Sequence, residues 1–283
     1  MAANLFLSYK MQIIFMTDLD GTLIGHHDFE FGSIRSAINN FCKIGVTLIP
    51  NSSKTCVEIE NFCKRLGRSL TFISENGAAI NNSDLLLNSV INNRIDKKVL
   101  GVNAEELFDL WNKSIDPILR KNCIFLDDIS KSKQEELLGL KGQELANALR
   151  REYSIIFNFV GSADAFDELQ RQCKKVGLVI HKGGRVYNLS GTHDKSNFIE
   201  AIKSRCLNGN EEIVIIGFGD SQNDIAMLQA SDIACIVPRP NASKLFLPNP
   251  PEIVIEAPEV APTGWVQAAT MALTKLNIKA GDC

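Results

Sequence analysis

The chain reads as α/β: a parallel sheet between helices, with a smaller α+β unit inserted into it. Three observations carry that reading. The runs Ile13-Ile14-Phe15-Met16, Val46-Thr47-Leu48-Ile49 and Ile213-Val214-Ile215-Ile216 have the apolar character of strands buried on both faces. Each run is followed by polar residues and then by a helical pattern, the alternation expected of strands joined by helical crossovers. Finally, 142 residues separate Ser52 from Lys195, far more than one crossover needs. The core is therefore expected over 1–84 and 191–283 and the inserted unit over 85–190. A length of 283 residues also exceeds the usual size of a single core.

The first strand ends at Thr17-Asp18-Leu19-Asp20-Gly21-Thr22. Asp18 and Asp20 are two residues apart, so an extended end keeps both on one side. Strand ends of open α/β sheets are where ligands bind, and Gly21 lets the backbone turn away. Two close carboxylates repel unless a cation or proton intervenes. Taken alone, the pair also suits a plain turn with capping Asp and Thr. A helix with Ile34, Ile38, Phe41 and Cys42 on its buried face follows.

The second strand runs into Pro50-Asn51-Ser52-Ser53-Lys54. Thr55 and Glu58 then form a capping box for a helix whose Ile59, Phe62, Cys63 and Leu66 make one apolar stripe. Ser52 thus lies where a strand leads to a helix N-terminus, a place that binds anions, although a lone serine there also serves as a cap. The turn-rich stretch Asn81-Asn82-Ser83-Asp84 marks the onset of the insertion. Within it, helical patterns near 104–120 and 164–175 alternate with strand-like runs at Ile124–Leu126, Ile155–Val160, Leu178–Ile180 and Val186–Leu189.

Lys195 is expected to open a helix carrying Phe198, Ile199, Ile202 and Cys206. A lysine in a first helical turn opposes the macrodipole, which a bound anion would relieve. The third strand ends in Gly217-Phe218-Gly219-Asp220-Ser221-Gln222-Asn223-Asp224. Ser221 and Asp224 fit a capping box before Ile225, but Asp220 stands ahead of that box at the strand tip. Acids at two strand ends suit a hard cation such as Mg²⁺, which prefers oxygen ligands. The glycines do not make a dinucleotide fingerprint, because Gln222 stands where a third glycine is needed. A proline-rich stretch from Pro248 to Pro262 precedes a last helix near 264–275.

Hydrophobic residues make up 45% of the chain and charged residues 22%, ordinary for a globular protein. The net charge of −3 argues against nucleic acid or an anionic membrane surface as partner. The eight cysteines contain no C-x-x-C pair, so reduced, buried thiols in a cytoplasmic protein are expected. No apolar run approaches the roughly 18 residues of a membrane span. Residues 1–10 lack the pattern of a secretory signal, and the fold is expected to begin near Met11.

Four motifs in this order resemble the haloacid dehalogenase superfamily of aspartate-nucleophile phosphatases. They are D-x-D-G-T from Asp18 to Thr22, Ser52, Lys195, and G-D-x-x-N-D from Gly219 to Asp224. The resemblance implies a Rossmann-like parallel-sheet core with an α+β cap inserted between the second and third motifs. Asn51–Thr55, Glu75–Ile80, Gly183-Gly184-Arg185, Asp194-Lys195, Val237–Asn241 and Ala257-Pro258…Gly264-Trp265 look like the mannosyl-3-phosphoglycerate phosphatase family, whose relatives act on the glucosyl ester. Ser196 stands where that group usually has glycine, and Ile155-Ile156 where it tends to have Glu-Pro.

The resemblance implies a Mg²⁺-dependent enzyme that removes phosphate from mannosyl-3-phosphoglycerate to give mannosylglycerate, a compatible solute, with the glucosyl ester as the alternative. Asp18 would be the nucleophile and Asp20 the acid and base. Asp18 and Asp220 would bind the metal by carboxylate, Asp20 by its backbone carbonyl, and Asp224 as an outer partner. Ser52, Ser53 and Lys195 would hold the phosphate, with backbone N–H groups near Asn51 and Ser53. Lys54, Gly184, Arg185 and Asn223 would meet the rest of the small-molecule substrate, Arg185 by pairing its carboxylate. Two other classes compete. A phosphomannomutase-like enzyme usually carries a longer glycine-rich fourth motif, and a non-catalytic module would not need every charged group that is present.

Overall fold

The computed structural model describes residues 10–25, 34–86, 95, 98–183, 185–204 and 211–278. Five parallel strands form the main sheet in the order β11-β10-β9-β1-β2. They are β1 (Lys10–Thr17), β2 (Thr47–Pro50), β9 (Glu211–Gly219), β10 (Ile233–Ile236) and β11 (Ile253–Glu256). All three strands expected from the apolar runs are present. Side chains alternate across β1 as a strand requires. Ile13 and Phe15 join the core on one face, and Ile14 and Met16 the core on the other.

The first face is dominated by aromatic rings. Phe15 meets Phe41 of α1 (Arg35–Lys43) at 5.4 Å, Phe218 at 5.1 Å and Trp265 of α10 (Thr263–Lys275) at 6.0 Å, all edge to face. Such pairs add roughly 0.5–1.5 kcal/mol each beyond burial. The opposite face packs Met16, Ile49, Ile215 and Met227 with Phe198 and Ile202.

Register decides where the chemistry can sit. Thr17 of β1 lies level with Phe218 of β9 on one side and Pro50 of β2 on the other. Asp18 N–H donates to Phe218 C=O at 3.0 Å, and Asn51 N–H to Thr17 C=O at 2.7 Å. The three polar segments therefore leave the sheet side by side, where chain connectivity departs in both directions from β1.

The Thr55 capping box forms as expected, starting α2 (Cys56–Leu66), which Gly67 ends in the left-handed conformation. Between β2 and β9 the chain first makes a short hairpin of β3 (Phe72–Ser74) and β4 (Ala79–Asn81). It then builds a four-stranded antiparallel sheet in the order β5-β6-β8-β7. These are β5 (Cys123–Phe125), β6 (Ser154–Phe159), β7 (Val179–Lys182) and β8 (Tyr187–Ser190), close to the four strand-like runs. The inserted antiparallel cap is thus observed.

The helical pattern at 104–120 is two helices, α3 (Ala104–Ser114) and α4 (Pro117–Arg120). Pro117 disfavours helical geometry at Asp116, which becomes the cap of α4 and accepts Ile118 N–H at 2.8 Å. The pattern at 164–175 is α7 (Ala163–Lys175), and Leu107, Trp111, Leu169 and Cys173 pack with Phe157 as the cap's own core. Two helices that periodicity did not reveal, α5 (Lys131–Leu138) and α6 (Gly142–Leu149), complete the cap. α5 buries no side chain, so it has no apolar stripe to read.

Lys195 does not open a helix. It lies in a turn, and α8 begins only at Ile199, running to Lys203. Phe198, at φ +73°, separates the turn from the helix, so the macrodipole argument does not apply to this lysine. Cys206, expected on that helix, lies outside the described residues. The six described cysteines are free thiols, four of them buried and Cys42 and Cys56 half-buried. Among the described residues no helix is long and apolar enough to cross a membrane.

Candidate active site

Lys195 is the centre of the site. Its side chain is fully buried, and Nζ donates to Asp18 Oδ1 at 2.5 Å and to Asp224 Oδ1 at 2.6 Å. Its backbone is held too, since Asn51 Nδ2 donates to Lys195 C=O at 2.7 Å. Burial works against the ammonium charge, but Asp18 and Asp224 overcome it and hold the lysine above its ordinary pKa. A buried lysine of this kind is charged only because its partners are.

Asp18, Asp220 and Asp224 are all buried, and each offers an oxygen within 4.8 Å of the others. Asp220 Oδ1 accepts the Thr22 hydroxyl at 2.8 Å, and Arg239 Nε lies 3.5 Å from Oδ2. Burial, reinforced by Asp224, pushes Asp220 up to about 7. Burial also raises Asp18 well above the carboxylate range, opposed by Lys195 and reinforced by Asp224 and Asp220. One ammonium among three buried carboxylates leaves negative charge in a poorly solvated place. An all-oxygen donor set of this kind fits a hard divalent cation.

Asp224 has a second duty. Its Oδ2 accepts the N–H groups of Asp220 and Ser221, both at 3.0 Å, and the Ser221 hydroxyl at 3.2 Å. The Ser221 capping box therefore exists, on the short turn Gln222–Asp224 ahead of α9 (Ile225–Ala230). Gly219 permits it: a Cβ there would sit 2.4 Å from Asp224 Cβ.

Asp20 parts from Asp18. The chain turns at Leu19, whose C=O accepts the N–H groups of Thr22, Leu23 and Ile24. Asp20 Oδ2 pairs with Lys54 Nζ at 2.7 Å, while Oδ1 has no hydrogen-bond partner among the described residues. The Asp20 carboxylate is thus outside the metal-competent trio and beside Lys54. Burial opposes the Lys54 charge, but Asp20 and Glu58 raise its pKa.

Ser52 is buried, and its Oγ accepts Lys54 N–H at 3.3 Å. Of the backbone donors expected to face a phosphate, Asn51 N–H goes to Thr17 C=O and Ser52 N–H to Ile73 C=O at 3.1 Å. The Ser53 carbonyl accepts Arg151 Nη1 at 3.1 Å. Asn223 is engaged at both ends, donating to Asn76 Oδ1 at 3.1 Å and accepting the Ser221 hydroxyl at 2.6 Å. Arg185 is exposed and donates from Nη1 to Leu138 C=O at 2.6 Å, over the C-terminus of α5. Gly184 lies outside the described residues.

Sequence reasoning missed the supporting shell. Glu75, Asn76 and Gly77 have φ of 47°, 57° and 93° in succession. The buried Glu75 carboxylate accepts Glu152 N–H at 2.9 Å, Tyr153 N–H at 3.1 Å and the Ser154 hydroxyl, tying the hairpin to the start of β6. Gly77 is obligatory, because a Cβ there would fall 1.7 Å from Asp194 C=O. The Asn-Gly pair was the available turn signal. Asn51, which anchors the lysine backbone, left no signal of its own.

A haloacid dehalogenase-like hydrolase family model matches residues 15–245. The glucosyl-3-phosphoglycerate/mannosyl-3-phosphoglycerate phosphatase of Persephonella marina is 31% identical over 94% of this chain and 98% of its own. A protein of the same name from Methanococcoides burtonii is 28% identical over 94% and 99%. Among solved structures, a phosphatase of the same superfamily from Bacteroides thetaiotaomicron has a TM-score of 0.61 at 15% identity, covering 96% of this chain and 99% of its own. Motif order, strand-tip geometry and a family match across most of the length agree: the chain belongs to the haloacid dehalogenase-like hydrolases.

Proposed function

We propose that this chain is a Mg²⁺-dependent phosphomonoester hydrolase working through an aspartyl-phosphate on Asp18, with a glycosyl-3-phosphoglycerate as substrate. The observation that carries the chemistry is the Lys195 ammonium, buried within 2.6 Å of both Asp18 and Asp224 at the sheet's switch point. The substrate class is supported by the two relatives, whose name covers both the glucosyl and the mannosyl ester; we put the mannosyl ester first on the sequence resemblance alone.

Asp18 attacks phosphorus in line, and the leaving alcohol departs on the side of Asp20. Asp20 protonates that oxygen and later takes a proton from the water that cleaves the acyl phosphate. A carboxylate meeting a phosphate dianion faces roughly 4 kcal/mol per unit pair at about 4 Å and an effective dielectric near 20. Lys195 offsets part of this, and the Ser52 hydroxyl and the Ser53 N–H contribute donors to the phosphate oxygens. The Asp18 and Asp220 carboxylates and the Asp20 backbone carbonyl, with Asp224 behind them, would hold Mg²⁺, which would supply the remaining positive charge. Lys54 keeps Asp20 in place and adds a second cation near the ester.

Substrate choice is assigned to the cap, taken as 85–190. Arg185 keeps guanidinium donors beyond Nη1 with which to pair the glycerate carboxylate. The deciding experiment is a hydrolysis screen with Mg²⁺ over mannosyl- and glucosyl-3-phosphoglycerate, 3-phosphoglycerate and hexose phosphates. The reading expects a glycosyl-3-phosphoglycerate to have the highest kcat/KM. Better turnover of plain hexose phosphates would discard the substrate assignment.

A further inference from the structure

Helices α2 and α6 meet where the Thr55 hydroxyl, at the start of α2, donates to Asn147 C=O of α6 at 2.9 Å, but they do not close on each other everywhere. Between them lies a cavity of about 250 Å³. Neighbouring helices ordinarily fill such a space by interdigitating apolar side chains. Here the facing positions are largely polar. From α2, Glu58, Asn61, Phe62 and Arg65 point into the cavity, at the spacing of one helical face, and from α6, Gln143 and Asn147 do so.

The place of the cavity is specific. Leu19 and Ile24, which flank Asp20, form part of its wall, and so does Lys54, whose Nζ holds Asp20 Oδ2 at 2.7 Å. The space therefore lies beside the Asp20–Lys54 pair, next to the acid that protonates the leaving oxygen in the reaction proposed above.

Its chemistry suits a neutral polyol. Lys54 and Arg65 are balanced by Glu58 and Glu144, so the lining favours neither anion nor cation. Asn147 is 6% exposed; its Oδ1 accepts Gln143 Nε2 at 2.8 Å, and its Nδ2 makes no hydrogen bond among the described residues. A side-chain amide offers a donor and an acceptor at a spacing that vicinal hydroxyls can match. Leu19, Ile24, Phe62 and Leu140 supply apolar surface for the C–H face of a ring. The volume is just below the roughly 300–1,000 Å³ of pockets for drug-sized ligands, which suits one hexose ring.

We propose that this cavity is the glycosyl subsite, with Asn61 and Asn147 reading sugar hydroxyls and Gln143 orienting Asn147. The proposal rests on the glycosyl-phosphoglycerate reading above. The test measures kcat and KM of Asn61→Leu, Asn147→Leu and Gln143→Ala on mannosyl- and glucosyl-3-phosphoglycerate and on p-nitrophenyl phosphate, which has no sugar. For Asn61→Leu and Asn147→Leu the ratio of kcat/KM, glycosyl ester over p-nitrophenyl phosphate, should fall about 10- to 100-fold, mainly through KM, as one or two lost hydrogen bonds predict. Gln143 is exposed, so Gln143→Ala tests the site even if a buried-site variant fails to fold, and its ratio should fall several-fold. Competitive inhibition by the dephosphorylated glycosylglycerate should weaken in the same variants. Unchanged ratios in Asn61→Leu and Gln143→Ala overturn the subsite. A wild-type chain that hydrolyses neither glycosyl ester overturns the substrate reading first, and the subsite with it.

Discussion

Lys195 Nζ and Asp18 Oδ1 lie 2.5 Å apart, both buried, though they stand 177 positions apart in the sequence. The ammonium thus already touches the carboxylate that must approach a phosphate dianion. Replacing Asp18 by Asn keeps the shape but removes the nucleophile, so Asp18→Asn should abolish phosphate release and leave the circular dichroism spectrum unchanged. Turnover within tenfold of wild type, with deamidation excluded by mass, would sink the aspartyl-phosphate.

Removing the other partner should act on stability as well. Lys195→Met leaves Asp18 and Asp224 buried without their cation, and breaking a buried pair this way costs roughly 3–5 kcal/mol. In EDTA its urea midpoint should fall accordingly. A divalent cation should restore more stability to Lys195→Met than to wild type, because it then takes the place of the missing ammonium beside Asp18 and Asp224.

Asp220 and Asp224 should separate by assay. Asp220 accepts the Thr22 hydroxyl and faces Arg239, whereas Asp224 holds Lys195, two backbone N–H groups and the Ser221 hydroxyl. Asp220→Ala should therefore raise the Mg²⁺ midpoint for activity more than Asp224→Ala, and Asp224→Ala should lower thermal stability more. An unchanged metal midpoint in Asp220→Ala would move the metal elsewhere.

Glu75 fastens the core hairpin to the cap through two backbone N–H groups and the Ser154 hydroxyl. Hydrogen bonds to a charged acceptor contribute about 1.5–3 kcal/mol each. Glu75→Gln brings an amide N–H₂ against those donors and should cost at least about 2 kcal/mol in urea unfolding. Proteolysis should then cut near 151–154 sooner than in wild type. Wild-type stability and cleavage rate in Glu75→Gln would show that the clamp carries no load.

His181 should make the fold acid-sensitive. Burial, helped by His193 and Lys195 and opposed by Asp194, lowers its pKa to about 4 from an ordinary 6.5. The unfolded chain then binds a proton between about pH 6.5 and 4 that the folded chain refuses, so stability is full above pH 6.5 and falls as pH drops toward 4. The loss should be on the order of 2–3 kcal/mol. His181→Gln should flatten that part of the urea-midpoint profile; an unaltered profile would place the acid sensitivity on other groups.

The amino-acid sequence by itself determined three of the five strands of the main sheet and the four of the cap, the acids at the strand tips, and the capping boxes at Thr55 and Ser221. Each of these is written within about ten residues, in apolar runs, helical stripes and capping spacings that need no distant partner. The same short-range patterns gave no sign of α5, which buries nothing, and of the hairpin turned by Glu75-Asn76-Gly77 they offered only the Asn-Gly pair. Only the tertiary structure decided which charges meet. Lys195 bonds Asp18 and Asp224, Asp20 takes Lys54 and leaves the trio, and Arg185 lies over α5. Those pairings are set by the register that brings Thr17, Phe218 and Pro50 level, and by the cap folding back on α2. Periodicity tells which face of an element is buried; it carries no record of which buried face it will meet.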